Sequence, residues 1–168
     1  MSTSAREVSR RIPPLAMVVI RPAKLFDIPE VMRIERESFR EAYPRGIFLM
    51  FLENNPETFL VAEYNGKVIG YVMGYLRPDL EGHIMSIAVD KEYRGNGIGS
   101  ALLSEAIERL IKRGGARYIG LEVRVSNEKA IRLYERFGFR KVKRIIGYYS
   151  DGEDAYYMLL PAEEWRGS

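Results

Sequence analysis

The sequence contains no cysteine, and that absence removes whole classes of chemistry from consideration. Disulfide bonds, thiolate metal sites and a cysteine nucleophile are all excluded, so a covalent mechanism would need another residue. Glutamine is also missing, and histidine occurs once, as His83. With 29% charged residues, this depletion of thermolabile side chains is typical of hyperthermophilic proteins.

Long apolar runs are equally scarce. No segment approaches the roughly 18 apolar residues that a membrane-spanning helix needs. The N-terminal stretch up to Met17 carries arginines but lacks the apolar centre of a signal peptide. We therefore expect a cytoplasmic protein that does not bind membranes.

A strong excess of one sign of charge is missing as well. The chain has 26 basic and 23 acidic residues, which gives a net charge of +3, and the two signs are interspersed. A short basic run from Arg140 to Arg144 is interpreted as a solvated strand face. Because no nucleic-acid-binding motif accompanies it, we expect no nucleic-acid partner.

The length and the apolar content suit one compact domain, since 46% of the 168 residues are hydrophobic. Residues 1–16 lack periodicity and contain Pro13-Pro14, which predicts a flexible arm. We place the folded domain at 17–162 and a short tail at 163–168. No internal repeat or linker divides the chain.

The first half of the sequence predicts both helices and strands. Asp27 is the expected N-cap of a helix that continues to residue 39, and a shorter helix follows over 47–52. The dipeptide Asn65-Gly66 between two β-rich segments indicates a tight hairpin. The strands of this half are expected at 17–20, 58–64 and 67–76.

The second half predicts two further helices, at 98–111 and 127–137, and four strands. On the strand 118–125, alternation places Glu122 and Arg124 on the face opposite Leu121 and Val123. We expect chemistry on the face that carries Glu122. The other strands are expected at 83–90 and in a hairpin around Asp151-Gly152 that joins 139–149 to 154–160. These elements predict an α+β domain with a largely antiparallel sheet.

A glycine-rich turn, Arg94-Gly95-Asn96-Gly97-Ile98-Gly99, lies between a strand and a helix. Glycines let backbone N–H groups approach a pyrophosphate, and the start of a helix favours an anion. A Rossmann fingerprint would need a third glycine at Ser100, and the Gly-Lys-Ser/Thr of a P-loop is missing. The segment therefore indicates an anionic cofactor, with a turn that binds no ligand as the alternative.

Five tracts of the sequence resemble the GNAT superfamily of N-acetyltransferases, and within it archaeal NatA-type and RimI-like enzymes that acetylate protein N-termini. The resemblance extends from about Val18 to Leu160. It implies a single GNAT-fold α+β domain, with a mixed, mostly antiparallel seven-stranded sheet and about four helices. It also implies acetyl-CoA as the acetyl donor. The tracts are Ser86 to Val89, Arg94 to Gly99, Leu121 to Asn127, Ala130 to Phe139 and Gly147 to Ala155.

The resemblance implies an acetyl-CoA site made from three stretches of the chain. Backbone groups of Ile87, Ala88 and Val89 would bind the acetyl and pantetheine portion. The pyrophosphate would be bound by Gly95, Asn96, Gly97, Ile98, Gly99 and Ser100, with Arg94 orienting the turn. The site would be completed by Asn127, Tyr134, Glu135 and Arg136.

Three side chains are the candidates for catalysis by this resemblance. Glu122 would act through water as general base, and the alternative is an ion pair with Arg124 or a neighbour. His83 would help to relay the proton, whereas in isolation it would be an exposed strand-end residue. Tyr134 would protonate the departing CoA sulfur, and the alternative is a core aromatic. Two ligands, His83 and Glu122, make no dedicated metal site, so no metal is expected.

The substrate side is also implied by the resemblance. Tyr43, Tyr148 and Tyr149 match tyrosines of the family's peptide groove, although each could be a packing residue, and Ile87 would also contact the substrate. Glu41 matches the acidic position that tunes the choice among peptide N-termini.

The expected reaction is direct transfer to the α-amine of a protein or peptide N-terminus, of the Ser, Ala, Thr or Met type, in a ternary complex. No cysteine or Ser-His-Asp set offers a covalent route. The alternatives are a lysine or small-amine acetyltransferase of the same fold, or a non-catalytic acyl-CoA-binding module. We expect a monomer or weak dimer, and association with ribosomes is left open.

Overall fold

Four α-helices and seven strands occur among residues 14–167, which are the residues that the computed structural model describes. The helices are α1 (Ile28–Ser38), α2 (Arg45–Asn54), α3 (Ile98–Lys112) and α4 (Glu128–Phe137). The strands are β1 (Val19–Pro22), β2 (Phe59–Tyr64), β3 (Lys67–Leu76), β4 (Glu81–Val89), β5 (Tyr118–Arg124), β6 (Arg140–Ile145) and β7 (Ala155–Pro161).

The strands form one mixed sheet in the order β1-β2-β3-β4-β5-β7-β6. Antiparallel pairing joins β1 to β2, β2 to β3, β5 to β7 and β6 to β7, whereas β4 and β5 are parallel. The α+β class and the mostly antiparallel seven-stranded sheet are confirmed. Within residues 14–167, no helix is both long and apolar enough to cross a membrane.

The described residues divide into two compact units. The first unit comprises residues 14–73 and 86–106, and the second comprises 74–85 and 107–167. Strands β3 and β4 and helix α3 contribute residues to both units. Each unit has its own buried apolar residues.

In the first unit, the β2–β3 hairpin and helix α2 supply the aromatic centre of the core. Asn65 and Gly66 have φ angles of 51° and 74°, as a two-residue hairpin turn with positive φ at both positions requires, so the predicted hairpin is confirmed. Phe48 of α2 lies with its ring centroid 6.5 Å from those of Phe59 and Tyr71. All three side chains are fully buried.

Asp27 precedes α1 as expected, but its side chain does not cap the helix. Its carboxylate instead accepts the Lys24 backbone N–H at 2.8 Å and binds the Arg21 guanidinium at 2.7 Å. The predicted N-cap position of Asp27 is therefore confirmed, but its side chain makes no capping hydrogen bond. The reason is that a buried carboxylate gains more from a guanidinium partner than from a helix-start N–H alone.

In the second unit, β5 lies between β7 and the start of β4. Leu121 and Val123 of β5 are buried, whereas Glu122 and Arg124 are half-buried, as strand alternation predicts. The final hairpin is shorter than expected, because residues 146–154 form a loop outside the strands. Within that loop the Asp154 carboxylate accepts the Gly147 N–H at 2.8 Å, which satisfies this group away from the sheet.

The expected arm at 1–16 falls mainly outside the described residues, which begin at residue 14. Leu15–Met17 form a short 3-10 turn, and β1 begins at Val19 rather than at Met17. Near the C-terminus, the Trp165 indole donates to Glu108 at 2.7 Å and stacks on Phe137. The proposed domain limits of 17 and 162 stay predictions.

Candidate active site

In the first unit, the glycine-rich turn leads directly into α3, which begins at Ile98. Gly95 and Gly97 have φ angles of 82° and 80°, a region that side chains other than glycine rarely adopt. The first helical hydrogen bond runs from the Ala101 N–H to the Gly97 carbonyl. A turn of this conformation before a 15-residue helix presents backbone N–H groups that suit a phosphate.

Arg94 holds the turn to neighbouring parts of the first unit. Its Nε donates to the Val89 carbonyl at 2.9 Å, and its Nη2 donates to the Ser38 hydroxyl at 3.1 Å. The Asn96 amide donates to the Tyr93 carbonyl at 3.0 Å. The predicted role of Arg94 in orienting the turn therefore agrees with its contacts.

The remaining cofactor candidates of the first unit lie on β4 and at the start of α3. Ile87 and Val89 are half-buried and Ala88 is buried, so the alternation of the strand places Ile87 and Val89 on one face. Gly99 and Ser100 are half-buried in the first turn of α3.

The loop between α1 and α2 carries Glu41, which is exposed, and Tyr43, which is half-buried. This loop is anchored by Glu35, a fully buried carboxylate that the sequence did not single out. Its Oε2 accepts the Tyr43 backbone N–H at 3.1 Å. Its Oε1 accepts hydrogen bonds from the Tyr71 hydroxyl and, at 2.8 Å, from the Ser86 hydroxyl.

We refer to Glu35, Tyr71, Ser86 and the Tyr43 N–H as the Glu35 cluster. The Tyr71 and Ser86 hydroxyls lie 2.9 Å apart, so all the polar groups of the cluster are hydrogen-bonded. Burial, followed by the charge of Glu35, raises the pKa of Tyr71 well above its usual value. Tyr71 therefore keeps its proton and remains a donor to Glu35.

In the second unit, His83 and Glu122 are in direct contact: His83 Nε2 lies 2.7 Å from Glu122 Oε2. The parallel register pairs His83 with Gly120, and Glu122 lies two residues further along the same face of β5. The Arg124 guanidinium binds Asp151 and Glu153. The alternative of an ion pair between Glu122 and a neighbour is therefore present as the contact with His83, and this contact does not exclude catalysis by Glu122.

The other ring nitrogen of His83 also faces a carboxylate. Its Nδ1 lies 3.1 Å from Oε2 of Glu81, and that oxygen is 2.8 Å from Nη1 of Arg77. The ring of Tyr75 packs against the imidazole with 5.6 Å between centroids. Glu81 is not among the site residues predicted from the sequence, although its spacing of two residues from His83 on one strand places both side chains on the same face.

The loop 146–154 places Tyr148 and Tyr149 in the second unit. Their rings meet edge to face at 5.0 Å, and the Arg124 guanidinium lies 3.9 Å from the centre of the Tyr149 ring. Burial, followed by the charge of Glu122, raises the pKa of Tyr148. Tyr148 is still 47% exposed, so it is accessible from solvent near the His83–Glu122 pair.

Tyr134 lies on α4, with its ring edge against Phe139 at 5.9 Å. Burial raises its pKa to about 12. Among the described residues, no hydrogen bond joins its hydroxyl to His83 or Glu122. Asn127 caps α4 by accepting the Ala130 N–H at 3.2 Å, and the remaining second-unit cofactor candidates, Glu135 and Arg136, are exposed.

Comparison with known proteins identifies the family. The family model described as the acetyltransferase (GNAT) family matches residues 28–139. The chain is 41% identical over 153 residues to an N-alpha-acetyltransferase of Sulfurisphaera tokodaii, covering 84% of this chain and 92% of that relative.

Solved structures agree with this match. Ard1 from Thermoplasma volcanium superposes with a TM-score of 0.82 at 33% identity, covering 86% of this chain and 97% of the other. The NatC complex bound to Gag peptide and CoA contains a chain that superposes with a TM-score of 0.80 at 29% identity, covering 86% and 98%. The chain therefore belongs to the GNAT family of acetyltransferases, enzymes that take the acetyl group from acetyl-CoA.

Proposed function

We propose that this enzyme transfers the acetyl group of acetyl-CoA to the α-amino group of protein or peptide N-termini, by direct attack in a ternary complex. The observation that carries the proposal is the 2.7 Å contact between His83 and Glu122. The Sulfurisphaera tokodaii relative, which is named an N-alpha-acetyltransferase, supports the choice of acceptor.

The acceptor must lose a proton before it can attack. An N-terminal ammonium has a pKa of about 8, so a carboxylate–imidazole pair is a sufficient proton acceptor near neutral pH. Glu122 is 15% exposed and His83 is 5% exposed, so Glu122 receives the proton through water and His83 shares it. The amine nitrogen then forms a bond to the thioester carbon and loses its second proton to water, and the bond from that carbon to sulfur breaks, which releases the CoA thiolate.

Tyr134 holds a proton that it can direct at the departing sulfur. Because burial raises its pKa to about 12, the hydroxyl stays protonated throughout the physiological range. A thiol has a pKa of about 8.5, so full transfer from this tyrosine to a thiolate is uphill. Tyr134 therefore acts mainly by donating a hydrogen bond that stabilises the leaving thiolate.

For the donor, the first unit supplies the anion-binding turn. Gly95 and Gly97 adopt positive φ, and the start of α3 offers backbone N–H groups, so residues 95–100 suit the pyrophosphate. Backbone groups of residues 87–89 are assigned to the acetyl and pantetheine portion. Asn127, Glu135 and Arg136 of the second unit keep the cofactor role that the family resemblance implies.

For the acceptor, each unit offers one loop. The loop of the first unit carries Glu41 and Tyr43 and is tied down through Glu35. Ile87, on the half-buried face of β4, keeps its assigned substrate contact. The loop of the second unit carries Tyr148 and Tyr149, with Tyr149 held by Arg124.

The proposal is tested by incubating the full chain with acetyl-CoA and peptides that differ at their first two residues, then locating the acetyl group by mass spectrometry. Matched peptides with a blocked N-terminus, together with free polyamines, serve as controls. Acetylation of the α-nitrogen in at least one peptide class is expected. Transfer to lysine or polyamines with none to any free N-terminus would overturn the proposal.

The cofactor assignment has its own test. Gly97→Glu places a side chain and a negative charge at a position of positive φ in the turn. We expect calorimetry to record much weaker acetyl-CoA binding, with the peptide loops unaffected. Unchanged affinity would mean that the turn does not contact the pyrophosphate.

A further inference from the structure

We propose that Glu81 is a positioning residue that fixes the orientation and the protonated nitrogen of His83. The inference deepens the proposed function and rests on its assignment of the proton relay to His83 and Glu122. Glu81 is 2% exposed, and its Oε2 lies 3.1 Å from His83 Nδ1. Carboxylates can only accept, so this contact requires a hydrogen on Nδ1.

The sheet itself creates the space in which Glu81 lies. Glu81 and His83 occupy alternate positions on β4, and the register pairs His83 with Gly120 of β5. A Cβ at position 120 would overlap Oε1 of Glu81 and would lie 2.6 Å from the Tyr157 hydroxyl. The glycine at this position thus leaves room for the Glu81 carboxylate beside the imidazole.

With Nδ1 protonated towards Glu81, Nε2 is the nitrogen that exchanges a proton with Glu122. The 2.7 Å separation between Nε2 and the Glu122 oxygen is short enough for the two atoms to share the proton that Glu122 receives from the substrate ammonium. Glu81 therefore assigns the two nitrogens different tasks. One is held by Glu81, and the other accepts the proton that the substrate ammonium releases through Glu122.

The charges around His83 support this arrangement. Two carboxylates, Glu81 and Glu122, face the two ring nitrogens. Arg77 offsets the Glu81 charge through a 2.8 Å contact, and its Nε donates to the Tyr75 hydroxyl at 3.2 Å. The Tyr75 ring packs against the imidazole. Tyr148 is a further titratable side chain in this region, because the charge of Glu122 contributes, after burial, to raising its pKa.

A purely structural role for Glu81 would be limited to its ion pair with Arg77. That pair alone would not require a hydrogen on Nδ1, nor would it affect proton transfer at Nε2. The protonation pattern of His83 therefore distinguishes the two roles. Since His83 is the single histidine of the chain, its imidazole signals need no assignment.

The first test is long-range proton–nitrogen NMR of the uniformly nitrogen-15-labelled full chain between pH 6 and 9. We expect Nδ1 to be protonated throughout this range in the wild type. Glu81→Met should leave Nδ1 bare, with the hydrogen on Nε2 facing Glu122. The exposed Glu163→Gln is the control and should match the wild type. A bare Nδ1 in the wild type would overturn the inference.

The second test is kinetic. Glu81→Met should lower kcat about 10- to 100-fold, as expected when a reacting group is misplaced, with the KM for acetyl-CoA within twofold. Glu81→Gln keeps an acceptor oxygen in the same shape and should recover part of the rate.

The outcomes separate this inference from the proposed function. If the wild type acetylates no N-terminus, the proposed function fails while NMR still tests the contact between Glu81 and His83. If the wild type acetylates peptides and both Glu81 variants keep its kcat and the wild-type protonation of Nδ1, Glu81 is structural and the inference alone fails. Thermal melting identifies a variant that does not fold, and the nearly isosteric Glu81→Gln then supplies the kinetic result.

Discussion

Two buried carboxylates of this protein, Glu35 in the first unit and Glu81 in the second, differ in the chemistry of the groups that they bind. Glu35 is bonded to two hydroxyls and a backbone N–H, which are neutral donors. Glu81 is bonded to an imidazole and a guanidinium. Both are almost inaccessible to solvent, at 1% and 2% exposure, so burial does not distinguish them.

The partners indicate the role of each carboxylate. The donors to Glu35 hold their protons near neutral pH, so the Glu35 cluster can tie the Tyr43 loop in place but cannot pass a proton on. Glu81 contacts the His83 imidazole, which also contacts Glu122, and an imidazole can both accept and donate a proton. The Glu35 cluster is therefore expected to govern stability and loop position, and the residues around His83 are expected to govern the rate.

The largest effect is expected from Glu122→Gln, which keeps the shape of the side chain and removes the proton acceptor. General-base assistance is worth about 100- to 10,000-fold, so kcat should fall within that range while acetyl-CoA affinity and unfolding free energy stay close to wild type. Steady-state kinetics from pH 6 to 9 measure this, with Glu163→Gln as control. A kcat within a factor of two across that range would make Glu122 structural.

Glu35→Leu should have the complementary effect on stability. It removes the acceptor of the Tyr71 and Ser86 hydroxyls and of the Tyr43 N–H, and each buried donor left unsatisfied costs about 1–3 kcal/mol. Denaturant unfolding should record this loss, while kcat of the folded enzyme stays within a few-fold and the KM for peptide rises.

The matched control is Glu37→Leu, an exposed position on the same helix. Glu37 forms a surface ion pair with Arg33, which contributes at most about 0.5 kcal/mol. If Glu35→Leu lowers kcat as strongly as Glu122→Gln without loss of stability, the assignment of Glu35 to the loop is wrong.

A smaller effect is expected from Tyr134→Phe. Loss of a hydrogen bond to a developing thiolate, worth about 1.5–3 kcal/mol, should lower kcat roughly 10- to 100-fold. Because burial raises the pKa of Tyr134 to about 12, the hydroxyl is protonated from pH 6 to 10, and the ratio of wild-type to variant kcat should be constant there. A ratio that falls towards one near pH 9 would show that Tyr134 loses its proton in the working range.

The smallest effect is expected from Glu41→Ala, which changes the loop without changing the proton relay. Glu41 is exposed, so its contact should lie at the low end of the roughly 1–3 kcal/mol of a pocket contact, and the kcat/KM ratio for Ser-starting and Met-Leu-starting peptides should change several-fold. Acetyl-CoA affinity should hardly change. An unchanged peptide ranking would show that Glu41 does not select the peptide, and the selection would then be assigned to Tyr148 and Tyr149.

Local sequence signals predicted the parts of the molecule that depend on neighbouring residues. Asn65-Gly66 marked a hairpin because two positive φ angles leave few residue choices, and alternation placed Glu122 on the half-buried face of β5. The glycines of the 94–99 turn, together with the helix that follows, indicated an anion site by the same local reasoning. The five tracts that resemble GNAT enzymes then predicted the family.

Long-range pairings could not be predicted in this way. Glu35 has the spacing of an ordinary helical glutamate, and its partner Ser86 lies 51 positions away. Glu81 and His83 lie on the same face of β4. The space for the Glu81 carboxylate, however, depends on the pairing between β4 and β5, which places Gly120 opposite His83. Asp27 shows the reverse case, because its contact with Arg21 overrides a local capping signal.

The acceptor assignment is tested most directly by offering the enzyme a choice of amines. One peptide begins with a free serine and carries one internal lysine, and its twin has the same sequence with a blocked N-terminus. At saturating acetyl-CoA from pH 7 to 9, mass spectrometry should place acetyl on the α-nitrogen of the first peptide and find the twin unmodified. Acetyl-lysine in the blocked twin, formed as fast as the α-acetyl product, would contradict the account.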